Sequence, residues 1–172
     1  MIDSKELIKI LDGKDYDYEL HEHEALFTVE DSQKLRGQIS GSHSKNLFLK
    51  NKKNKFFLIS CNELTKINLK KIAKSLELGN VSFAKKEYMV DLLGIKPGSV
   101  TPFALLNDTK NEVVFYLEDK LYNSEFVNFH PLTNTATVSM RCDNFIQFMI
   151  ENNKKIHIFS STEDVVIKTY EQ

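Results

Sequence analysis

Segments with the apolar spacing of helices alternate along this chain with short apolar runs typical of strands, and this alternation most constrains the fold. Residues 68–79 place apolar side chains three and four positions apart, with Asn68 as a cap and Gly79 as the end. Residues 45–49 and 56–60 are apolar runs that flank the polar turn "NKKN", a pattern typical of a hairpin. The pattern predicts the α/β or α+β class, with about six to eight strands and three or four helices.

The other predicted elements follow the same two patterns. We expect one helix behind Ser4 as its N-cap, and another that begins at the capping residue Thr28 and ends at Gly37. Further helices are predicted for residues 87–94, closed by Gly94, and 142–152; further strands are predicted for residues 16–20, 103–107, 112–117, 126–130, 135–140 and 155–159.

The composition suits a single compact domain over residues 1–172. Of the 172 residues 41% are hydrophobic, and no repeat, low-complexity tract or linker divides them. The longest apolar runs are far too short to cross a bilayer, and the N-terminus lacks the pattern of a signal peptide. Cys61 and Cys142 lack CxxC spacing, so we expect reduced, packed thiols in a cytoplasmic protein.

Charge is unevenly spread, although the formal net charge is only −1. Residues 43–96 hold twelve lysines and four acidic residues, so the rest of the chain is acidic. A basic middle of this kind favours a polyanionic partner on one face, and the densest group is Lys50, Lys52, Lys53 and Lys55. The alternative is that folding scatters these lysines over a solvated surface.

Several common signatures of catalysis or metal binding are missing. The chain has no GxSxG elbow and no P-loop spacing. In "HEHE", His21 and His23 would share one face of an extended segment, as a metal pair does, but no third ligand is near. A solvent-facing polar stretch is the better interpretation, and no metal site is predicted.

Two other segments suggest a site for ester chemistry. Gly98, Ser99, Val100, Thr101 and Pro102 form a GxxxP loop, whose backbone N–H groups would suit a developing oxyanion. The alternative is a tight connection between a helix and a strand.

His130 precedes Pro131, which favours an extended backbone at the histidine. The imidazole either orients a substrate or forms a hydrogen bond at the rim of a pocket.

Taken together, "SKNLFL", "GIKPGSVTPFALLND" and "FHPLTNTATVSM" resemble, in this order, the YbaK-like aminoacyl-tRNA deacylases. The resemblance is closest to the prolyl-tRNA synthetase-associated domain branch, whose free-standing members clear Ala-tRNA(Pro). The upstream segment "HEALFTVEDSQKLRG" also looks like that branch, and the similarity covers roughly residues 5–160. Ala104 departs from the pattern, since many relatives have glycine there.

The resemblance implies a mixed β-sheet flanked by helices, with a pocket over the sheet. Lys45 matches the essential lysine of the family, Asn46 its neighbour, residues 98–102 its GxxxP loop and His130 the histidine near the substrate. Lys45 would hold the terminal phosphate or ribose, while Asn46 and His130 would orient the aminoacyl group. Candidate walls of the pocket are Leu26, Phe27 and Val29, for which ordinary core packing is the alternative.

The implied activity is hydrolysis, by water, of the ester that joins a wrong amino acid to tRNA(Pro). The vicinal ribose hydroxyl would assist, and no metal or cofactor is implied. The implied partners are mischarged tRNA(Pro) and prolyl-tRNA synthetase, with no membrane involved. The basic balance of residues 43–96 predicts that Lys50, Lys52, Lys53 and Lys55 form part of the face that meets the tRNA. Two alternatives remain: a deacylase for cysteine or another small residue on tRNA(Pro), and a non-catalytic module that binds tRNA or the synthetase.

Overall fold

A computed structural model describes residues 1–34, 38–163 and 165–172, without the side chains of Val29 and Ser32. The helices are α1 (Ser4–Gly13), α2 (Val29–Gln33), α3 (Leu69–Ser75), α4 (Lys86–Leu93), α5 (Asp119–Tyr122) and α6 (Cys142–Glu151), with a 3₁₀ helix at Pro102–Asn107. The strands are β1 (Tyr18–Glu22), β2 (Ser42–Asn51), β3 (Phe56–Asn62), β4 (Val81–Phe83), β5 (Val113–Glu118), β6 (Phe126–Phe129), β7 (Ala136–Arg141), β8 (Ile156–Ser160) and β9 (Val165–Tyr170).

The strands of the described residues form one mixed sheet in the order β1-β7-β6-β2-β3-β5-β8-β9, with β4 paired to β2. Strands β3, β5 and β8 run parallel, and β2 joins β3 as an antiparallel hairpin. The parallel strands therefore bring the carboxyl ends of β3 and β5 to the same edge of the sheet. The predicted fold class, a mixed sheet flanked by helices, is confirmed.

Helices pack on both faces of the sheet because successive strand residues point to opposite faces. On the first face, α1, α4 and α6 cover a core that includes Phe48 and a cluster of edge-to-face aromatic rings centred on Phe103. On the second face, α3 packs Ile72 against Leu49 and Phe57. Residues of β2 thus alternate between the two cores, which decides the side on which each lysine of this strand emerges.

Local signals predicted several element ends correctly. The Asn68 side chain accepts a hydrogen bond from the N–H of Lys71, and Gly94 ends α4 in the left-handed region at φ 64°. The Thr28 side chain accepts from the N–H of Asp31, as expected for a cap, whereas the predicted helix end at Gly37 lies outside the described residues. Cys61 and Cys142 are free and buried, as predicted.

Other expectations were wrong. Asp3, and not Ser4, caps α1, because Asp3 and Glu6 form a reciprocal capping box. Residues 103–107 lie in the 3₁₀ helix and not in a strand, because Thr101 caps that turn and Pro102 occupies its first position.

Helix α3 ends at Ser75, four residues before Gly79, and the short strands β4 and β9 were not predicted. Among the helices of the described residues, none has the length and apolar content that a membrane span needs.

Candidate active site

A cavity of about 230 Å³ opens at the carboxyl edge of β3 and β5, and it brings together most of the residues that the sequence singled out. An edge of this kind is where α/β sheets commonly bind ligands. The cavity is lined by Leu26, Phe27, Thr28, Ser44, Lys45, Asn46, Glu63, Gly98, Val100 and His130.

Lys45 lies on β2 opposite Cys61 of β3, and its side chain is half-buried at the cavity. Its ammonium group donates a hydrogen bond to the carbonyl of Thr65, in the segment between β3 and α3. Only part of the donor capacity of the ammonium is used in this way, since it carries three N–H groups. Lys45 can therefore bind an anionic or hydroxyl oxygen in the cavity while the Thr65 carbonyl holds it in place.

A buried carboxylate fixes the segment that holds Lys45. The side chain of Glu118, at the end of β5, is fully buried, with 0% exposure. It accepts a 2.7 Å hydrogen bond from the Thr65 hydroxyl and a 2.6 Å hydrogen bond from the N–H of Asn62. The ammonium of Lys120 lies 3.8 Å away. A buried charge requires such partners. Through the hydrogen bond from the Thr65 hydroxyl, Glu118 holds Thr65 in place against the sheet.

The side chain of Asn46 is oriented by two serines. Its carbonyl oxygen accepts a 2.5 Å hydrogen bond from the Ser60 hydroxyl, and its amide nitrogen donates to Ser44 at 3.4 Å. Ser44 in turn donates to the carbonyl of Asn128 at 2.9 Å. The second N–H of the Asn46 amide remains available to a ligand.

The GxxxP loop contributes backbone groups. Gly98 has φ 88°, a left-handed conformation that favours glycine, and a Cβ there would lie 3.6 Å from Phe27 and 3.6 Å from Asn134. The N–H of Ser99 donates to the carbonyl of Lys96 at 3.1 Å. The N–H groups of Gly98, Val100 and Thr101 form no hydrogen bond with the described residues. Gly98 and Val100 line the cavity, so this loop can offer amide donors to an oxygen.

Three residues of the GxxxP loop are not among the residues that line the cavity. The side chains of Ser99, Thr101 and Pro102 are buried, and the Thr101 hydroxyl accepts from the N–H of Phe103. Their side chains support the turn into the 3₁₀ helix and do not line the cavity.

His130 lies just after β6, at the cavity, with a defined hydrogen bond on one nitrogen. Its Nδ1–H donates to the carbonyl of Ala136 at 2.9 Å, which leaves Nε2 as an acceptor in the neutral ring. Burial lowers the pKa of His130 below its usual 6.5, and nearby His23 and His43 lower it further. The imidazole is therefore neutral at pH 7 and can accept a hydrogen bond from an ammonium group.

Leu26 and Phe27 form one wall of the cavity, as predicted, although the Phe27 side chain is 73% exposed. Leu26 is tied to the loop after β6 by two hydrogen bonds with Asn134, at 3.0 and 3.2 Å. The side chain of Val29, the third predicted wall, lies outside the described residues.

The four clustered lysines lie away from the cavity. Lys52, Lys53 and Lys55 are exposed in the turn between β2 and β3, and Lys50 lies 5.3 Å from the ring centroid of Tyr88. Since a strand rises about 3.3 Å per residue, Lys52 lies about 23 Å from Lys45 along β2. These lysines are not part of the candidate active site.

Sequence reasoning missed Ser44, Thr65 and Glu118. One signal was available, because Glu118 ends the apolar run of residues 113–117 at the carboxyl end of a predicted strand.

Neither histidine of "HEHE" lies in a metal cluster. The ring of His21 contacts Glu19 at 3.0 Å, and that of His23 contacts the hydroxyl of Thr137 at 2.8 Å. Within the described ranges, no group of three or more His, Cys, Asp or Glu side chains is arranged to hold a metal ion.

Comparison with known proteins agrees with this geometry. The aminoacyl-tRNA editing domain family matches residues 23–148, a range that contains every residue of the cavity. The chain is 40% identical over 133 residues to prolyl-tRNA synthetase associated domain-containing protein 1 of Xenopus laevis, covering 74% of this chain and 79% of that protein. It is 32% identical over 139 residues to the prolyl-tRNA editing protein ProX of Acetoanaerobium sticklandii, covering 80% and 85%.

A solved structure shows the same fold. A protein described as a candidate trans-editing enzyme for prolyl tRNA synthetase superposes with a TM-score of 0.66 at 17% identity, covering 91% of this chain and 96% of that one. Since both the family match and the relatives span most of the sequence, this chain belongs to the aminoacyl-tRNA editing domain family, in the branch of the prolyl-tRNA synthetase-associated domains.

Proposed function

We propose that this protein hydrolyses the ester bond between a mis-attached alanine and the 3′ end of tRNA(Pro), and leaves Pro-tRNA(Pro) intact. The observation that carries the proposal is the convergence of Lys45, Asn46, His130 and the GxxxP loop on one cavity at the edge of the sheet. These groups are a cation, an amide, a neutral imidazole and backbone N–H donors, the groups that recognition of an aminoacyl ester requires.

The proposed reaction uses water as the nucleophile. The thiols of Cys61 and Cys142 are buried, and burial raises the pKa of each to about 12, so neither supplies a thiolate. Among the described residues, the Ser44 hydroxyl forms hydrogen bonds with Asn128 and Asn46 and none with a basic side chain that would activate it. A covalent acyl-enzyme is therefore disfavoured. As the family resemblance implies, the vicinal ribose hydroxyl of the substrate would help to activate the water.

Each polar group has a role in this proposal. Lys45 holds the terminal phosphate or ribose through the donors that Thr65 leaves unused. The amides of Gly98 and Val100, which line the cavity, stabilise the oxyanion of the tetrahedral intermediate, whereas the amide of Ser99 already donates to the carbonyl of Lys96. The tetrahedral intermediate then expels the ribose oxygen, which takes up the proton that the attacking water has lost, and the free amino acid leaves.

A second group of cavity residues recognises the amino acid. The Nε2 of neutral His130 accepts a hydrogen bond from the α-ammonium group, and the Asn46 amide donates to the acyl carbonyl. Leu26 and Phe27 provide an apolar wall for a methyl group. A small pocket rejects the larger proline ring sterically, which is the second half of a double sieve.

The lysines of the β2–β3 turn belong to the proposal as part of the tRNA-binding surface. Lys52, Lys53 and Lys55 are exposed, and Lys50 is half-buried against Tyr88. Phosphate contacts made by such lysines would weaken as salt rises. Prolyl-tRNA synthetase is a second proposed partner, because the Xenopus laevis relative is named for a prolyl-tRNA synthetase associated domain.

The experiment is a deacylation assay with purified protein against Ala-, Cys-, Ser- and Pro-charged tRNA(Pro) under identical conditions. We expect alanine to be released fastest and proline to be spared. Preferential release of cysteine would assign the protein to the alternative substrate. If no amino acid is released from any of these tRNAs, the chain is a binding module and not an enzyme.

A further inference from the structure

A row of lysines extends from the candidate active site along the outer face of α3. Lys66 directly follows Thr65, the residue whose carbonyl holds the Lys45 ammonium. Lys70 and Lys74 are four residues apart on α3, and both are exposed. Residues at this spacing share one helix face, and here that face lies opposite the buried Ile72. We call Lys66, Lys70 and Lys74 the α3 row.

The α3 row continues to the turn between β2 and β3. Lys70 and Lys74 line a surface groove together with Glu77, Gly79 and Asn80. The last three residues also line a second groove, whose other wall is formed by Lys52, Lys53 and Lys55. The two grooves are therefore contiguous, and positive side chains extend from the cavity to the far end of β2.

The charges of the α3 row are not neutralised within the part of the chain that the structure describes. Lys14 pairs with Glu151 at 3.0 Å and Lys155 pairs with Glu171 at 2.5 Å, but no such pair involves the α3 row. Unpaired lysines on one face raise the local concentration of a polyanion. Glu77 is the acidic residue within the two grooves, so the surface is predominantly positive.

We propose that the α3 row binds the sugar-phosphate backbone of double-helical RNA, namely the acceptor stem, which the single-stranded 3′ end of the tRNA connects to the aminoacylated nucleotide. This inference rests on the proposed function, because the 3′ end in the cavity fixes where the duplex begins. Lys45 emerges on the same side of the sheet as α3, so a single-stranded 3′ end that leaves the cavity on that side brings the duplex towards the row. Lysine contacts to phosphates position a duplex without reading its bases.

The proposal separates two parts of substrate recognition. The cavity binds the ester and the terminal nucleotide, whereas the α3 row binds the duplex. Removing the positive charges of the row should therefore lower kcat/KM on full-length tRNA and leave kcat unchanged. A short single-stranded substrate, which ends in the aminoacylated nucleotide but has no duplex, should not be affected.

The test compares two triple variants of equal charge change. In the first, Lys66→Gln, Lys70→Gln and Lys74→Gln remove the α3 row. The control carries Lys5→Gln, Lys9→Gln and Lys110→Gln. Lys5 and Lys9 are exposed on α1, which packs on the opposite face of the sheet, and Lys110 is exposed just before β5, far from its carboxyl end. Thermal midpoints of both variants should equal that of the wild type, because all six side chains lie at the surface.

The expected result is a fall of about tenfold in kcat/KM on full-length Ala-tRNA(Pro) for the first variant, with kcat unchanged. When the logarithm of its affinity for tRNA is plotted against the logarithm of the salt concentration, the slope should be shallower than that of the wild type by about two to three units. The control variant and the short substrate should behave as in the wild type. Equal losses in both variants would show an effect of net charge alone, and wild-type behaviour of the first variant would show that the duplex lies elsewhere; either result overturns the proposal.

Binding of uncharged tRNA provides an independent measurement. If the wild type hydrolyses neither the full-length nor the short substrate, the proposed function fails, but the salt slope of tRNA binding still tests the α3 row. A reduced slope in the first variant and not in the control would support the row, and equal slopes would refute it.

Discussion

Lysines lie near both ends of strand β2, and the two ends differ in what surrounds them. At the first end, Lys45 is half-buried, lines a cavity and donates to a carbonyl that a buried carboxylate holds in place. At the other end, Lys52 and Lys53 are exposed in a turn, where Asn51 organises the backbone. The chemistry of the side chains is the same, so their neighbours decide what each can do.

The difference has a physical basis in how each end is held. The cavity end lies beside the carboxyl ends of β3 and β5, where Asn62 and Glu118 come together. The turn end projects beyond the sheet, and its lysines keep their side-chain freedom and their hydration. A preorganised charge can stabilise a transition state, whereas a mobile, hydrated one contributes mainly to long-range attraction.

The largest expected effect comes from Lys45→Ala, with Lys52→Ala as the matched control at the other end of β2. Loss of Lys45 should lower the deacylation rate by about 10²–10³. Because the Lys45 side chain is only half-buried, the thermal midpoint of the Lys45→Ala variant should stay near that of the wild type. Lys52→Ala should leave the rate on a short substrate unchanged. Full activity of Lys45→Ala would remove the distinction between the two ends.

Glu118→Gln tests why the cavity end is rigid. Glutamine keeps the size of the side chain but weakens the charge-assisted hydrogen bonds to Thr65 and Asn62. We expect about a tenfold loss of rate and a loss of stability of about 1–3 kcal/mol.

A double-mutant cycle with Lys45→Ala, measured by single-turnover kinetics, separates positioning from general destabilisation. If Glu118 acts through Lys45, its substitution should lower the rate much less in the Lys45→Ala background. Equal losses in both backgrounds would leave Glu118 a purely structural residue.

Local patterns in the sequence predicted most of the secondary-structure elements, whereas the mixed sheet was implied by the family resemblance. The turn between β2 and β3, the cap at Asn68 and the stop at Gly94 each depend on neighbours within a few residues, and all three were predicted. Residues 103–107 were assigned to a strand because their apolar content outweighed the signals of Thr101 and Pro102, which begin the 3₁₀ helix.

The candidate site was less accessible to sequence reasoning because its parts are distant in the chain. Lys45 and His130 are brought together only by the sheet, and their spacing alone indicated nothing; the family resemblance supplied that link. Glu118 stands beside Asp119 and Lys120 and looks like part of a surface charge run. Its burial follows from the pairing of β5 with both β3 and β8, which no local pattern reveals.

At the cavity end, a smaller effect is expected in the pH dependence of the deacylation rate. Burial lowers the pKa of His130, so the ring becomes protonated only below pH 6.5 and then loses Nε2 as an acceptor. The enzymatic rate should therefore show no inflection from this group at pH 6.5–7.5 and should fall as the pH decreases further. His130→Asn should lower the rate severalfold and abolish this acidic decline. Spontaneous ester hydrolysis, measured without protein, is subtracted at each pH. An unchanged profile in His130→Asn would exclude His130 as the group that titrates.

The smallest expected effect on catalysis comes from Asn51→Ala, which loosens the other end of β2. Asn51 is buried, its carbonyl oxygen accepts from the N–H groups of Lys53 and Lys55 at 2.9 and 3.0 Å, and its amide donates to the carbonyl of Leu78 at 2.8 Å. Removing these bonds leaves the buried carbonyl of Leu78 and two partly buried N–H groups unpaired, so stability should fall by about 1–3 kcal/mol in a denaturant titration. The rate on a short substrate should stay within about twofold of the wild type, because the cavity lies about 20 Å away along the strand. A loss of rate on that substrate as large as the one in Glu118→Gln would mean that the two ends of β2 are coupled. The contrast between a preorganised end and a solvated end would then be wrong.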